Sequence, residues 1–172
     1  MRYLSILCVL FFPTDVFAGD KLTPRPLDPL AAETLAHAIE RSAITRTLIE
    51  HLESSNVIVH IVTAAQMEYG IGGTMRFVTS RGGYRYLRIT LAAGLPLKHR
   101  SAILAHELQH AWEVARSPAT HVEAIRRLFE NEGHRAGEYY ETRAAIEIER
   151  NVRMELTAGG VLQTEPVVKF DH

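Results

Sequence analysis

Residues 101–115, SAILAHELQHAWEVA, constrain the fold more than any other stretch. Leu104, Leu108, Ala111, Trp112 and Ala115 recur every three or four positions, which predicts an amphipathic helix over 98–116. Lys98, Gln109, Glu113 and Arg116 supply its narrow polar stripe, and His106, Glu107 and His110 stand outside that stripe. A buried carboxylate with no partner costs on the order of several kcal/mol. A fold that encloses this helix must therefore bring a compensating cation to it.

Everything else has to be arranged around that helix within a single core. The chain has 172 residues, 47% hydrophobic and 23% charged, enough for one domain and too few for two full ones. Its net charge of −1 provides no global field for nucleic acid or an acidic membrane surface, so no nucleic-acid partner is expected. The partner has to be inferred from a site.

Residues 1–18 read as an export signal: Arg2, the apolar run YLSILCVLFF, then small residues at Val16 and Ala18 before Gly19. The run is too short to span a bilayer comfortably, so an exported, periplasmic or secreted chain without stable membrane insertion is expected. Cys8 is the single cysteine and would leave with the signal. A metal would then have to be held by His, Asp or Glu.

The pattern after the signal predicts an α+β domain. Residues 19–28 are a polar, proline-rich lead-in, and the domain is expected to span 29–157. Asp28 and Pro29 mark a helix start, with apolar spacing continuing to about Ser54 as one helix or as two broken near Ser42. NVIVHIVTA predicts a buried strand over 57–63. Two alternating runs around Ser80–Gly83 predict a hairpin in a small antiparallel or mixed sheet, with Leu87, Ile89 and Leu91 on one face and Tyr84, Tyr86, Arg88 and Thr90 on the other. Two further helices are expected after the 98–116 helix, one restarting at Ser117–Pro118 and one over 138–156. The tail, 158–172, is punctuated by Gly and Pro and reads as loosely held.

On a helix, positions four apart stack on one face, so His106 and His110 present two imidazoles to a single point. That is the geometry of two corners of a zinc site, with metal–nitrogen distances of about 2.0–2.1 Å. Glu107 is placed beside such an ion, where it can serve as a base without ligating. A catalytic zinc takes a third protein ligand and keeps an open position. Glu113 and Arg116 occupy the places where the extended His-Glu-x-x-His-x-x-Gly-x-x-His pattern would need glycine and a third histidine. The remaining candidates are chiefly His134, Glu138, Glu141, Glu147 and Glu149. The apolar face through Ala145, Ile148, Val152 and Leu156 reaches Glu141 one turn upstream, so Glu141 ranks first, Glu138 second and His134 third.

HELQH followed by a glutamate on the second helix after it resembles the gluzincin branch of zinc metallopeptidases. AILAHELQHAWEVAR with the later YETRAA is similar to short exported bacterial proteins that carry a minimal zincin core. The resemblance implies a zincin-like fold, His106, His110 and Glu141 as Zn2+ ligands, Glu107 as catalytic base, and a peptide or protein substrate. It also implies that the strand YRYLRITL forms the cleft rim along which a peptide pairs. The larger gluzincins often carry an aspartate four residues after the ligand glutamate to support a zinc histidine. Here that position is Ala145, so another support is needed.

The expected reaction is peptide hydrolysis by metal-activated water with Glu107 as general base. Tyr139, Tyr140 and His134 are candidate oxyanion donors. The alternative is a zinc-stabilised binding protein on a degenerate zincin scaffold, for which a fourth protein ligand, His134 or Glu138, would be the mark.

Overall fold

A computed structural model describes residues 24–158, except Tyr69, Gly137 and Glu138. The signal segment, residues 19–23 of the lead-in, Glu138 and the tail from 159 lie outside the described residues.

Within the lead-in, Arg25–Pro26 (β1) pairs in parallel with the strand Val57–Ala64 (β2). Asp28 accepts from the Ala31 amide at 2.8 Å and starts the helix Pro29–Arg41 (α1). A break at Ser42 separates α1 from Ala43–Glu53 (α2), and the Ser42 hydroxyl accepts from the Thr45 amide at 3.0 Å. The chain then forms β2, Gly73–Arg81 (β3) and Tyr84–Ala92 (β4). Gly82 and Gly83, both at positive φ, make the β3–β4 turn that a side chain would strain.

The sheet order is β1-β2-β4-β3, with β2 and β4 parallel and β3 and β4 antiparallel. The fold is α+β with a mixed sheet. Strand β4, expected at the cleft rim, is paired on both sides; the edges of the sheet belong to β3 and to the two-residue β1.

The helix Leu97–Arg116 (α3) is the centre of the molecule. Residues 104–111 are all buried, because α1, α2 and the sheet pack against it and the last helix, Arg143–Ala158 (α5), covers it from another side. Its apolar side chains join those of Val57, Val59, Ile61, Leu87, Ile89 and Leu91 in one core. Gln109 and Glu113, expected in the water-facing stripe, are buried under α5.

Two predicted helix boundaries are corrected. No helix restarts at Ser117–Pro118; the helix Val122–Glu132 (α4) begins after an irregular segment. Arg85, on the inward face of β4, donates to the carbonyls of Val114, Ala115, Ser117 and Ala119 at 2.6–3.2 Å. With those carbonyls bound to a guanidinium, this segment has no use for helical hydrogen bonds, and Pro118 already biases Ser117 to extended backbone. The second correction concerns 138–156. A short hairpin of His134–Ala136 (β5) and Tyr139–Glu141 (β6) precedes α5, so Glu141 ends a strand. The Thr142 hydroxyl accepts from the Ala145 amide at 3.1 Å and opens α5.

Candidate metal centre

The spacing within α3 delivers its two histidines to one place. His106 Nε2 and His110 Nε2 are 3.1 Å apart. Glu141, carried in at the end of β6, sets Oε2 2.8 Å from the first and 3.7 Å from the second. Among the described residues, these three side chains form a set of donors able to share one ion. Four-coordinate zinc with bonds near 2.0–2.1 Å places its donors about 3.3 Å from one another, and the observed separations bracket that value.

The support that position 145 lacks comes from elsewhere. Glu149, in the second turn of α5, places Oε2 3.0 Å from His106 Nδ1, although without the alignment of a good hydrogen bond. Glu113 Oε2 is 2.9 Å from His110 Nδ1. Glu113 is itself fixed by the Thr142 hydroxyl at 2.7 Å and the Gln109 amide at 3.2 Å. Carboxylates at both Nδ1 atoms keep the protons there and turn the Nε2 lone pairs inward. Two lone pairs facing at 3.1 Å repel unless a proton or cation lies between them. Glu141 Oε2 is likewise buried without an aligned hydrogen-bond donor.

The electrostatics agree with that reading. Burial disfavours protonation of His106, but Glu141 and Glu149 outweigh it and push the imidazole up to about 10. His110 goes up to about 9, with burial again opposed by Glu113 and Glu141. Burial alone would raise Glu141; the two imidazoles instead hold it at about 2. Glu107, 5% exposed, is pushed up to about 7, chiefly by burial, while both histidines pull it back. Without a metal both imidazoles therefore hold protons near neutrality; once those are given up, the four carboxylates leave an excess of negative charge that a divalent cation offsets.

The group lies in an open cleft of about 820 Å³. The start of β3 forms one wall, and Phe129, Tyr139 and Tyr140 contribute to the others. Two glycines set the fit. A Cβ on Gly73 would come within 2.6 Å of Ile103 Cγ2 and 3.0 Å of Glu107 Oε1, so β3 can lie against the glutamate because that residue has no side chain. A Cβ on Gly133 would stand 2.8 Å from the Phe129 carbonyl and 2.9 Å from the Glu141 carbonyl, which is how closely the hairpin bearing Glu141 approaches the end of α4.

The other predicted residues separate clearly. Glu147 pairs with Arg143 at 2.7 Å on the exposed face of α5. His134 is exposed and not among the clustered donors. Tyr140 donates its hydroxyl to Glu130 at 3.1 Å, and Tyr139 lines the cleft. Sequence reasoning missed Glu113 and the two glycines, and it considered Glu149 only as a possible ligand, not as the support of His106. The i, i+3 spacing from His110 to Glu113 was a usable signal for the first. Glu149→Gln is expected to weaken metal binding by about 10- to 100-fold in a chelator competition, with the fold intact by circular dichroism.

No protein-family model matches the chain, and neither a curated protein nor a solved structure matches it. Fold and site together define an α+β domain with a His-His-Glu cluster, able to hold a metal ion, in an open cleft.

Proposed function

We propose that this protein is an exported zinc-dependent peptidase on a zincin-like scaffold, with His106, His110 and Glu141 as ligands and Glu107 as general base. One observation carries the reading: the two Nε2 atoms are 3.1 Å apart, both imidazoles are backed by carboxylates, and Glu141 faces both. The donor set is nitrogen and oxygen in the numbers that zinc hydrolases use, and the absence of thiol from the cluster agrees with it. When bound there, zinc supplies Lewis acidity toward a water molecule and a carbonyl.

The protein's own groups do the rest. Glu113 and Glu149 orient the imidazoles, and the hairpin brings in Glu141. Glu107 is buried beside the histidines, borders the cleft, and has a carboxyl near 7, which suits a group that must accept and return a proton near neutrality. It takes the proton of the attacking water and passes it to the departing amine as the C–N bond breaks. Ile71, Ile103 and Phe129 give the cleft apolar surface for substrate side chains.

The test is cleavage of a mixed peptide library by the chain from residue 19, stripped with chelator and then reloaded with zinc. Cleavage that appears with about one equivalent of zinc and disappears with chelator is expected. A fully loaded protein that leaves every peptide intact contradicts the peptidase reading and favours the zinc-stabilised binding protein.

A further inference from the structure

The helices that contact the four-stranded sheet, α1, α2 and α3, share one core with its inward side chains. On the opposite face Arg76 and Arg88 are exposed, and Arg25, His60 and Tyr86 are half-buried. Across that face the register aligns Arg25 with His60, His60 with Arg88, and Arg88 with Arg76. One level of the sheet therefore crosses all four strands as Arg–His–Arg–Arg, about 14 Å long at the usual strand spacing. These side chains point outward because their neighbours Leu87 and Ile89 are fully buried on the other side.

Among the described residues the row has no counter-charge. Outward positions of the four strands contain no Asp or Glu, and Arg25, Arg76 and Arg88 make no ion pair among the described residues. Arg76 and Arg88 are direct cross-strand partners, a like-charge placement that weakens a sheet. Burial and then the flanking Arg25 and Arg88 hold the His60 imidazole below its ordinary range. The chain's net charge of −1 hides this local concentration.

We propose that this sheet face docks on the anionic headgroups of a phospholipid bilayer. The cations lie in register across one face of the sheet, where they can meet phosphates of a bilayer surface together. Exposed aliphatic side chains stand at both edges of the sheet, Leu27 just after β1 and Val78 in β3, and Tyr84, 40% exposed, stands opposite Arg81 at the hairpin end of β4. Tyrosine and aliphatic groups of this kind settle at the headgroup boundary. A single-stranded nucleic acid would need free rings on which to stack. The Tyr86 ring is already stacked on His60, with centroids 6.5 Å apart, which leaves Tyr84 as the exposed ring of the pair. Strand β3 also joins this surface to the cleft: Met75 lines the cleft and Arg76 belongs to the row. Docking here would hold the cleft at a membrane surface, whether or not the cleft is catalytic.

The experiment is co-sedimentation of the chain from residue 19 with vesicles of phosphatidylcholine alone or with about one-third phosphatidylglycerol. Binding to the acidic vesicles only, weakened by salt, is expected. Arg76→Gln with Arg88→Gln should lower partitioning about 30-fold, from about 1 kcal/mol per arginine. The same charge change on exposed helical positions, Arg127→Gln with Arg150→Gln, should leave partitioning within about twofold. Both pairs are exposed, and unchanged melting curves check that they fold. Equal binding to neutral vesicles, equal losses in the two double variants, or no vesicle binding overturns the proposal. The last result together with tight binding of single-stranded DNA or an acidic polysaccharide would assign the face to a soluble polyanion.

Discussion

Glu107→Gln is expected to lower peptide hydrolysis by between about 10^2- and 10^4-fold while leaving zinc affinity nearly unchanged. The amide has the carboxylate's shape and cannot accept a proton from water. Its position argues for this separation, since Glu107 is absent from the set of donors that converge on one point. The variant should also melt slightly higher, because burial is what pushes this carboxyl up to about 7 and an amide avoids that cost. Steady-state kinetics together with chelator competition read both quantities. Undiminished hydrolysis would remove Glu107 from the mechanism, and joint loss of metal and activity would make it a ligand.

Glu141→Ala should have the largest effect on the metal, more than about 10^2-fold in affinity, because it removes the one donor that does not come from α3. Zinc at about 1,000 times its dissociation constant stabilises a folded chain by about 4 kcal/mol, or roughly 10 °C for a domain of this size. The variant should lose that increment when zinc is added. The dependence on pH separates metal-free from loaded protein. Folding raises His106 and His110 from 6.5 to about 10 and about 9. Their contribution to the metal-free fold is therefore complete below pH 6.5 and is lost as pH rises through 9 to 10. Glu107, raised from 4.5 to about 7, costs stability as it ionises across that interval. Glu141, lowered from 4.5 to about 2, contributes above 4.5 and fails as pH falls toward 2. The metal-free chain should be most stable in mildly acidic solution. Zinc binding has to expel imidazole protons, so its affinity should rise at least about tenfold per pH unit between about 6 and 8.

How much of this was legible in the sequence follows from where each interaction is encoded. The i, i+4 histidines and the apolar stripes of α1 and α3 are local periodicities, and the structure bears them out as buried helical faces. Glu141 was singled out from a helical period that does not exist at that position. It reaches the site from a strand, because Tyr139 and Tyr140 extend the chain and Thr142 starts the helix only afterwards. The break after α3 depends on Arg85, about thirty residues upstream, and no local pattern announces it. The support of His106 by Glu149 depends on how α5 crosses α3, which is likewise tertiary. Sheet order followed the same logic: the hairpin was visible, but placement of β4 between β2 and β3 was not.

The most direct test is a calorimetric zinc titration of the chelator-stripped chain from residue 19, repeated with His106→Ala and His110→Ala. One ion per chain, bound at micromolar or tighter dissociation constant and lost in both variants, is the predicted result. A chain that takes up no zinc, or variants that bind it as tightly as the parent, would contradict a metal centre at this cluster.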